Sequence, residues 1–302
     1  AVMTLGQRCL AYEAHGIAIS DGPDIVLGMV VSRLRAMLAE LPPLPVLVVS
    51  VGLPGPVDSH QGIPVRPPIM PGWDGHPVAA QLSDEFGCPT VVDNDVNLMA
   101  LGESRALPDH ELPLLYLKVG TGVGSGLVTS EGRLHRGAHG AAGDIGHIRV
   151  LSDRNEVCTC GNINCLEAVA GVAAMTRLMR EELGDDDLTQ DDFIAAVRAG
   201  TPEAMRIVRE AAITLGEAAA VLVHLYNPAR ICLGGALSGA SDDLLAGIRS
   251  VVYQRALPLA TRNLTLAHSV LGADAAIVGA SVAGIDAVLS PEVVEEHLLD
   301  RL

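Results

Sequence analysis

Apolar and polar positions alternate with two different periods along most of the chain. Runs such as VLVVSVGL at 46–53 and LLYLKVG at 114–120 are almost continuously aliphatic, as in strands that are covered on both faces. Longer stretches repeat apolar residues every three or four positions, which is typical of amphipathic helices. The pattern predicts strands at 46–53, 90–93, 114–120 and 229–235, and helices at 25–41, 77–86, 94–107, 165–181, 189–199, 202–226, 241–256 and 272–289.

This alternation of strands and helices predicts an α/β fold. A length of 302 residues fits two lobes of about 150 residues each. The break at Pro108 predicts a smaller N-terminal lobe at 1–108 and a larger lobe at 109–302, with the last helix able to return to the first lobe. The stretch 135–165 has little regular pattern, and we expect it to consist mainly of loops.

Composition and charge exclude several classes of function. The formal net charge is −16. A nucleic-acid groove needs a basic stripe that displaces counterions, and the sequence has no Lys/Arg cluster, so we expect no DNA contact from this chain itself. No apolar run reaches the ~18–20 residues of a membrane span, and the first residues lack the pattern of a signal peptide. We therefore expect a cytoplasmic protein without a membrane segment.

Three of the six cysteines fall within eight positions, in CTCGNINC at 158–165. His147 precedes them, which gives the spacing H-x10-C-x-C-x4-C. Three thiolates and one imidazole suit a structural zinc ion, which takes four nitrogen or sulfur ligands and keeps no open position. The predicted ligands are His147, Cys158, Cys160 and Cys165. The alternative is that these are free loop cysteines. We expect Cys9, Cys88 and Cys232 to be small buried hydrophobes.

A second feature is the glycine-rich segment VGTGVGSGLV at 119–128, which follows a predicted strand. Alternate glycines let a phosphate approach backbone amides closely, although such a hairpin can also serve only to turn the chain. Neither G-x-G-x-x-G nor G-x-x-x-x-G-K-S/T is present, which disfavours a dinucleotide-binding dehydrogenase or a P-loop enzyme.

Several short motifs in the same order together resemble one family, the ROK group of bacterial sugar kinases and sugar-responsive transcription regulators. The resemblance implies a two-lobed actin-like ATPase (ribonuclease H-like) fold with a loop stapled by zinc. The motifs are SVGLPGPVD, VVDNDVNLMALGE, KVGTGVGSGLV, GAHGAAGDIGHIRV with CTCGNINCLEAVAG, and NPARICLGGALS.

The resemblance also implies roles for individual residues. A sugar would be bound by Asn94, Asp95, Asp144, His147 and Glu167, and His147 would use its other ring nitrogen on the zinc. In a kinase, Asp95 would be the catalytic base. ATP and Mg²⁺ would then be needed, with phosphate and nucleotide contacts from Gly120, Thr121, Gly122, Gly234 and Gly235. Without the resemblance, the residues alone favour a helix-capping role for Asn94 and Asp95, and Glu167 could be a first-turn carboxylate favoured by the helix dipole.

The sequence departs from the family pattern at three places. The kinases begin with a strand that carries D-x-G-x-T, whereas AVMTLGQRCLAYEAHG resembles the second and third strands of the family's first hairpin. Asp144 stands where the family usually has Glu. Asn164 replaces the second glycine of C-G-x-x-G-C, and Asn tolerates a left-handed backbone better than most residues do. The stretch AGIDAVLSPEVVEEHLLDRL also resembles the tail of a regulator.

These observations favour the effector-sensing region of a ROK-type transcription regulator, part of a longer protein. A sugar or sugar derivative would bind between the lobes of a homodimer or dimer of dimers and change DNA binding by a helix-turn-helix domain that this chain lacks. The alternative is an ATP-dependent, glucokinase-like hexose kinase with Asp95 as its base. A structural module is a third reading, but a scaffold does not need this polar residue set.

Overall fold

The computed structural model describes residues 1–291 and 293–295, so the end of the regulator-like C-terminal stretch lies outside the described residues. The chain forms two compact units. The first comprises Ala1–Gly102, Gly137–Ala141 and the described residues from Asp274 onward, and the second comprises Glu103–Arg136 and Ala142–Ala273.

The secondary structure alternates along the chain. The strands are β1 (Val2–Met3), β2 (Cys9–Ala11), β3 (Val49–Leu53), β4 (Val57–Asp58), β5 (Ile63–Pro64), β6 (Thr90–Asn94), β7 (Leu114–Val119), β8 (Val123–Val128), β9 (Arg230–Gly234) and β10 (Thr265–His268). The helices are α1 (Pro23–Ala39), α2 (Val78–Phe86), α3 (Asp95–Ala106), α4 (Leu166–Ala170), α5 (Val172–Leu183), α6 (Gln190–Ala199), α7 (Pro202–Tyr226), α8 (Asp242–Arg255), α9 (Pro258–Thr261) and α10 (Ala275–Val288).

In the first unit, strands pair in three small groups. β1 pairs antiparallel with β2, β4 pairs antiparallel with β5, and β3 pairs parallel with β6. The parallel pair places Leu53 opposite Asn94, so that β6 ends where α3 begins. A core around the fully buried Trp73 packs beside β3, and the Trp73 indole N–H donates to the carbonyl of Ile19 (3.0 Å).

In the second unit, a four-stranded sheet has the order β10-β9-β7-β8. β7, β9 and β10 run parallel, and β8 runs antiparallel to β7. The β7–β8 register pairs Val119 with Val123, so the glycine-rich residues 120–122 form the turn. The carboxyl ends of β7 and β9 meet at one edge, because the two strands are parallel neighbours.

Most of the predicted elements are confirmed, with ends that shift by three residues or fewer. The single helix predicted at 165–181 is wrong, because Gly171 adopts an extended backbone that separates α4 from α5. A Cβ at Gly171 would lie 2.8 Å from the carbonyl oxygen of Thr121, so the break brings the chain close to the hairpin turn. The hydrophobic pattern does not predict the short elements β4, β5 and α9, nor β10.

The prediction that three further cysteines are buried is correct for one of them. Cys232 is buried in β9, whereas Cys9 is exposed and Cys88 is half-buried. Cys9 is the first residue of β2 in the short β1–β2 hairpin, where a three-residue strand offers little apolar cover.

Among the described residues, every helix falls short of the combined length and apolarity that crossing a bilayer requires.

Helices α3 and α10 approach each other so closely that their backbones touch at two glycines. A Cβ on Gly279 would lie 1.7 Å from the carbonyl oxygen of Leu98, and one on Gly102 would lie 2.2 Å from that of Ala275. Only glycine allows this separation, because any side chain would force the helices apart.

We expect Gly279→Ala to destabilise the protein by about 1–3 kcal/mol, since the added methyl must displace the α3 backbone. The control is Gly28→Ala on α1, where a Cβ meets nothing within 4 Å. It should stabilise the protein by about 0.5–1 kcal/mol, because alanine loses less conformational entropy than glycine when the helix forms. Urea unfolding of the two variants measures both effects. A Gly279→Ala protein as stable as wild type would contradict the close contact.

Candidate functional site

The four predicted metal ligands come together in the second unit. The ligand atoms of His147, Cys158, Cys160 and Cys165 all lie within 4.8 Å of one another. The Cys158 Sγ lies 3.5 Å from the His147 Nδ1, and the Sγ atoms of Cys160 and Cys165 are 3.6 Å apart. Tetrahedral bonds of about 2.3 Å to sulfur and about 2.0–2.1 Å to nitrogen require ligand separations of this size, roughly 3.6–3.8 Å. The cluster could therefore hold a metal ion.

The cysteine loop is closed by its own backbone. The Cys158 amide donates to the Asn162 carbonyl (2.8 Å), and the Gly161 amide donates to the Cys158 carbonyl (2.9 Å). Asn164 has the left-handed φ of 59° that the sequence predicts to be tolerated at this position. Its buried side chain accepts a hydrogen bond from the Glu156 amide (2.8 Å) and donates one to the Ser152 carbonyl (3.0 Å). These two bonds tie the loop to the preceding segment 152–156.

The protein environment shifts the pKa values of the three thiols in different directions. Burial raises the pKa of the Cys158 thiol to about 12 and also raises the pKa of Cys165. A hydrogen bond from the backbone amide of Asn162 lowers the pKa of the Cys160 thiol to about 7. Buried thiols without a nearby positive charge resist ionisation, so a bound dication would supply the charge that stabilises their thiolates.

His147 and Glu167 are brought together by backbone hydrogen bonds on either side of the histidine. The Leu166 amide donates to the Ile148 carbonyl (2.9 Å), and the Glu167 amide donates to the Gly146 carbonyl (3.0 Å). The loop carbonyls thus satisfy the first amides of α4, which have no partner inside the helix. As a result, the His147 Nδ1 lies 3.6 Å from the Glu167 Oε1.

The orientation of His147 separates the roles of its two ring nitrogens. Nδ1 faces the cysteines and Glu167, and the Cys158 thiol donates a hydrogen bond to the Glu167 Oε1 (3.3 Å). Nε2 points away from the cluster, because the two nitrogens of an imidazole face in different directions. The side chains of His147 and Glu167 remain 25% and 22% exposed, so both can meet a ligand from solvent.

The glycine hairpin packs directly against this pair. A Cβ on Gly122 would lie 2.5 Å from the Glu167 Oε2, and one on Gly146 would lie 2.3 Å from the Val123 carbonyl oxygen. The Gly120 and Thr121 carbonyls accept from the Val172 and Ala173 amides (2.8 and 3.1 Å) at the start of α5. The hairpin turn therefore fixes the α4–α5 break as well as the position of Glu167.

Asp144 is exposed and lies in a segment anchored to β8. Ser125 donates through both its hydroxyl (2.7 Å) and its amide (3.1 Å) to the Gly143 carbonyl. Gly143 has a φ of 93°, and a Cβ there would lie 2.5 Å from the Ser125 carbonyl oxygen. Asp144 is thus carried on backbone that the hairpin holds in place.

The five residues predicted to contact a nucleotide lie at one edge of the sheet. Gly120, Thr121 and Gly122 follow β7, and Gly234 and Gly235 end or follow its parallel neighbour β9. Ligands of open α/β sheets commonly bind outside the carboxyl ends of the strands. Close packing also explains some of these glycines, because a Cβ on Gly234 would lie 1.9 Å from the Tyr116 hydroxyl.

In the first unit, Asn94 and Asp95 lie at the junction of β6 and α3. The Asn94 Oδ1 accepts from the Val96 and Asn97 amides (2.9 and 3.3 Å), and its Nδ2 donates to the Gly55 carbonyl (2.8 Å). Asn94 therefore caps α3 and holds the Gly55 turn, as the helix-cap interpretation expects. Its role as a sugar ligand stays a prediction, as do those of Asp95, Asp144, His147 and Glu167.

Sequence reasoning missed Asp93, which organises the same junction. Asp93 is only 2% exposed, and its Oδ1 accepts from the Asn94 amide (2.8 Å) and the Asn97 Nδ2 (2.9 Å). A carboxylate at the end of an apolar strand, inside the run VVDND, was the available signal, because a buried charge requires such partners.

Known proteins resemble this chain along most of its length. The model of the ROK family matches residues 22–286. A glucokinase from Halalkalibacterium halodurans is 33% identical over 245 residues, which cover 76% of this chain and 74% of that protein. A xylose repressor from Caldicellulosiruptor bescii is 28% identical over 293 residues, which cover 92% of this chain and 73% of that protein.

A solved structure agrees with these sequence matches. A ROK family glucokinase from Streptomyces griseus, in complex with glucose and AMPPNP, has a TM-score of 0.73 at 26% identity, covering 85% of this chain and 87% of that one. The predicted α/β fold of the actin-like ATPase type is thereby confirmed. On the sequence matches and on this shared fold, the chain belongs to the ROK family.

Proposed function

We propose that this chain is the sugar-sensing region of a ROK-type transcriptional regulator. The observation that carries sugar binding is the pairing of His147 with Glu167 beside the cysteine cluster, 3.6 Å apart and partly exposed. A carboxylate accepts hydrogen bonds and an imidazole can donate or accept them, so the pair matches the vicinal hydroxyls of a sugar. Asn94, Asp95 and Asp144 complete the proposed set of sugar contacts.

The match to relatives supports the regulator more than the kinase. The alignment with the xylose repressor spans 92% of this chain, whereas the alignment with the glucokinase spans 76%. The acidic net charge of −16 would repel DNA phosphates, so operator contact belongs to a helix-turn-helix domain outside this chain. Sugar would alter DNA binding by preferring one of two conformations of a homodimer or dimer of dimers.

A glucokinase-like activity is the second candidate. The glucokinase relative is 33% identical against 28% for the repressor, and the glycines at the carboxyl edge of β7 and β9 provide a place for phosphates. Asp95 would then accept the proton of the attacking hydroxyl, with ATP as the phosphoryl donor and Mg²⁺ as the cofactor.

Zinc is the metal that we propose for the cluster, because three thiolates and one imidazole are its usual structural ligands. Four protein ligands leave it no open position, so its contribution would be to hold the loop. His147 would bind it through Nδ1, which keeps Nε2 directed toward the sugar. The ion would also stabilise the thiolate of Cys158 beside Glu167.

Replacement of Cys160 by Ser tests the metal. We expect zinc content to fall well below one ion per chain. We also expect the Tm to fall, by roughly 2–4 °C for each 1 kcal/mol of folding free energy that the lost metal supplied. Sugar affinity should fall as well, because His147 loses its anchor. Metal analysis and thermal unfolding measure these effects.

The matched control is Cys9→Ser, which alters an exposed cysteine outside the cluster and should leave zinc content and Tm unchanged. A Cys160→Ser protein with wild-type zinc content would refute the ligand assignment.

Replacement of Asp95 by Asn tests the sugar site. Loss of a charged hydrogen-bonding group should weaken binding by about 1.5–3 kcal/mol, which is roughly 10- to 150-fold in Kd. Calorimetry with a panel of pentoses, hexoses and their N-acetyl derivatives measures it. Asp84→Asn on the exposed face of α2 is the control, and equal affinity of the Asp95 and Asp84 variants would exclude Asp95 from the site.

A direct assay separates the regulator from the kinase. We expect the full-length protein to bind a sugar in calorimetry and to transfer no phosphate to it from ATP with Mg²⁺, because the proposed role is sensing. Sugar-dependent ADP release that disappears in Asp95→Asn would establish the kinase instead.

A further inference from the structure

Four charged side chains of alternating sign lie between segment 152–156, which leads into the cysteine loop, and helix α5. Arg177 on α5 contacts the carboxylates of both Glu156 and Glu181, and Arg154 of the segment contacts Glu181 as well. The order of the contacts is therefore Glu156, Arg177, Glu181 and Arg154. Segment and helix each contribute one acid and one base, so a displaced segment would bring like charges together.

The contact between Arg177 and Glu156 has the geometry of a strong ion pair. The Arg177 Nη1 lies 3.1 Å from the Glu156 Oε1, and Nη2 lies 2.8 Å from Oε2, so the pair is bidentate. The Glu156 side chain is only 15% exposed. Most surface ion pairs contribute little, but a bidentate pair within a network of charges is an exception. This pair can therefore fix the position of Glu156 on α5.

Arg177 also joins the segment to α4. Its Nη2 lies 3.5 Å from the carbonyl oxygen of Ala168. Ala168 belongs to the five-residue helix α4, whose last carbonyls lack partners inside the helix. The guanidinium thus lies between Glu156 and the helical turn that carries Glu167.

The backbone of Glu156 carries this position to the candidate metal ligands. The Glu156 amide donates to the Asn164 Oδ1 (2.8 Å), and the Glu156 carbonyl accepts from the Asn164 amide (2.7 Å). Asn164 directly precedes Cys165, and Glu156 lies two residues ahead of Cys158. Both ends of the cysteine loop therefore depend on where Arg177 holds Glu156.

Helix α5 is itself fixed at its start. Its first two amides donate to the carbonyls of Gly120 and Thr121 in the hairpin turn (2.8 and 3.1 Å). Arg177 and Glu181 follow on one face of α5, because residues four apart are neighbours on a helix. The cysteine loop is thus laid on a helix whose position the sheet already determines.

We propose that Arg177 is a positioning residue of the candidate site. Its guanidinium sets the separation between the cysteine loop and α4, and the loop and α4 together hold His147 beside Glu167. This inference rests on the proposed function, since it acts through the proposed metal and sugar contacts of those residues. Arginine is required, because a lysine ammonium is a point charge that cannot hold both carboxylate oxygens of Glu156.

Hydrogen exchange of the full-length protein tests this role with a readout that requires no sugar. In Arg177→Gln, the Asn164 amide should exchange at least about fivefold faster than in wild type, because its acceptor on Glu156 loses its anchor. The matched control is Arg255→Gln, which removes a solvent-exposed ion pair with Glu217 and should leave this rate unchanged. Equal Asn164 exchange in Arg177→Gln and wild type would overturn the proposal.

Competition with a chelator measures the effect on zinc. Arg177→Gln should raise the Kd for zinc at least about fivefold, since residues that support metal ligands typically contribute 10- to 100-fold in affinity. Glu156→Gln should give a similar loss, and the double variant should lose no more than either single variant, because the two side chains act as one pair. Additive losses would overturn the proposal. Full recovery in Arg177→Lys would show that charge alone suffices and would overturn it as well.

A cobalt spectrum separates position from stability. The visible absorption bands of Co²⁺ bound to the cluster respond to the angles between its ligands, so we expect them to shift in Arg177→Gln. Gly279→Ala, which changes the α3–α10 contact in the first unit, is the stability control and should leave the bands in place. An unchanged cobalt spectrum in Arg177→Gln would overturn the positioning role.

Sugar affinity completes the test, and Arg177→Gln should weaken it together with zinc binding. Wild-type sugar affinity in Arg177→Gln would overturn the effect on Glu167. A wild-type protein that binds no sugar would refute the proposed function, whereas the exchange and metal measurements would still decide the role of Arg177.

Discussion

The candidate site depends on one backbone arrangement, in which the loop around His147 caps the start of α4. The carbonyls of Gly146 and Ile148 accept the amides of Glu167 and Leu166. These amides belong to the first turn of a helix and would otherwise lack partners. Because the same two carbonyls flank His147, the helix start that they satisfy also fixes the separation between the imidazole and the Glu167 carboxylate. The candidate metal ligands and two of the proposed sugar ligands, His147 and Glu167, are thus held by one backbone arrangement.

Close approach of backbone explains why glycine recurs around this construction. Gly122 leaves room for the Glu167 carboxylate, and Gly146 leaves room for the backbone of β8. Gly171 ends α4 against the hairpin turn, where the Gly120 carbonyl accepts the first amide of α5. Glycine near such a hairpin is often attributed to phosphate binding, but at Gly146 and Gly171 close contact with backbone carbonyls already requires it. A nucleotide would therefore meet a turn whose shape is set by its neighbours.

Electrostatics links the cysteine cluster to the polar pair beside it. The three thiols lie close together beside His147, the Glu167 carboxylate lies 3.3 Å from the Cys158 Sγ, and burial raises the pKa of two of these thiols. Such a group of potential anions is costly to ionise without a cation. A bound dication would relieve this cost and hold the histidine tautomer, so the metal would act on the proposed sugar contacts of His147 and Glu167 through geometry and charge. In the first unit, buried Asp93 plays a comparable organising part for the residues that follow it.

Much of this protein is determined by its sequence alone. Hydrophobic periodicity located most of the helices and the strands β3, β6, β7 and β9, since it reports which face of an element is apolar. The sequence predicts the candidate metal ligands because three of the four fall within eight positions. Other features required the tertiary structure. The break at Gly171 depends on a carbonyl fifty residues earlier in the chain, and the hydrogen bond of the Asn94 side-chain amide depends on the position of the Gly55 carbonyl. The physical reason is that local patterns record burial, whereas backbone contacts between distant segments decide where an element ends and which polar groups remain available.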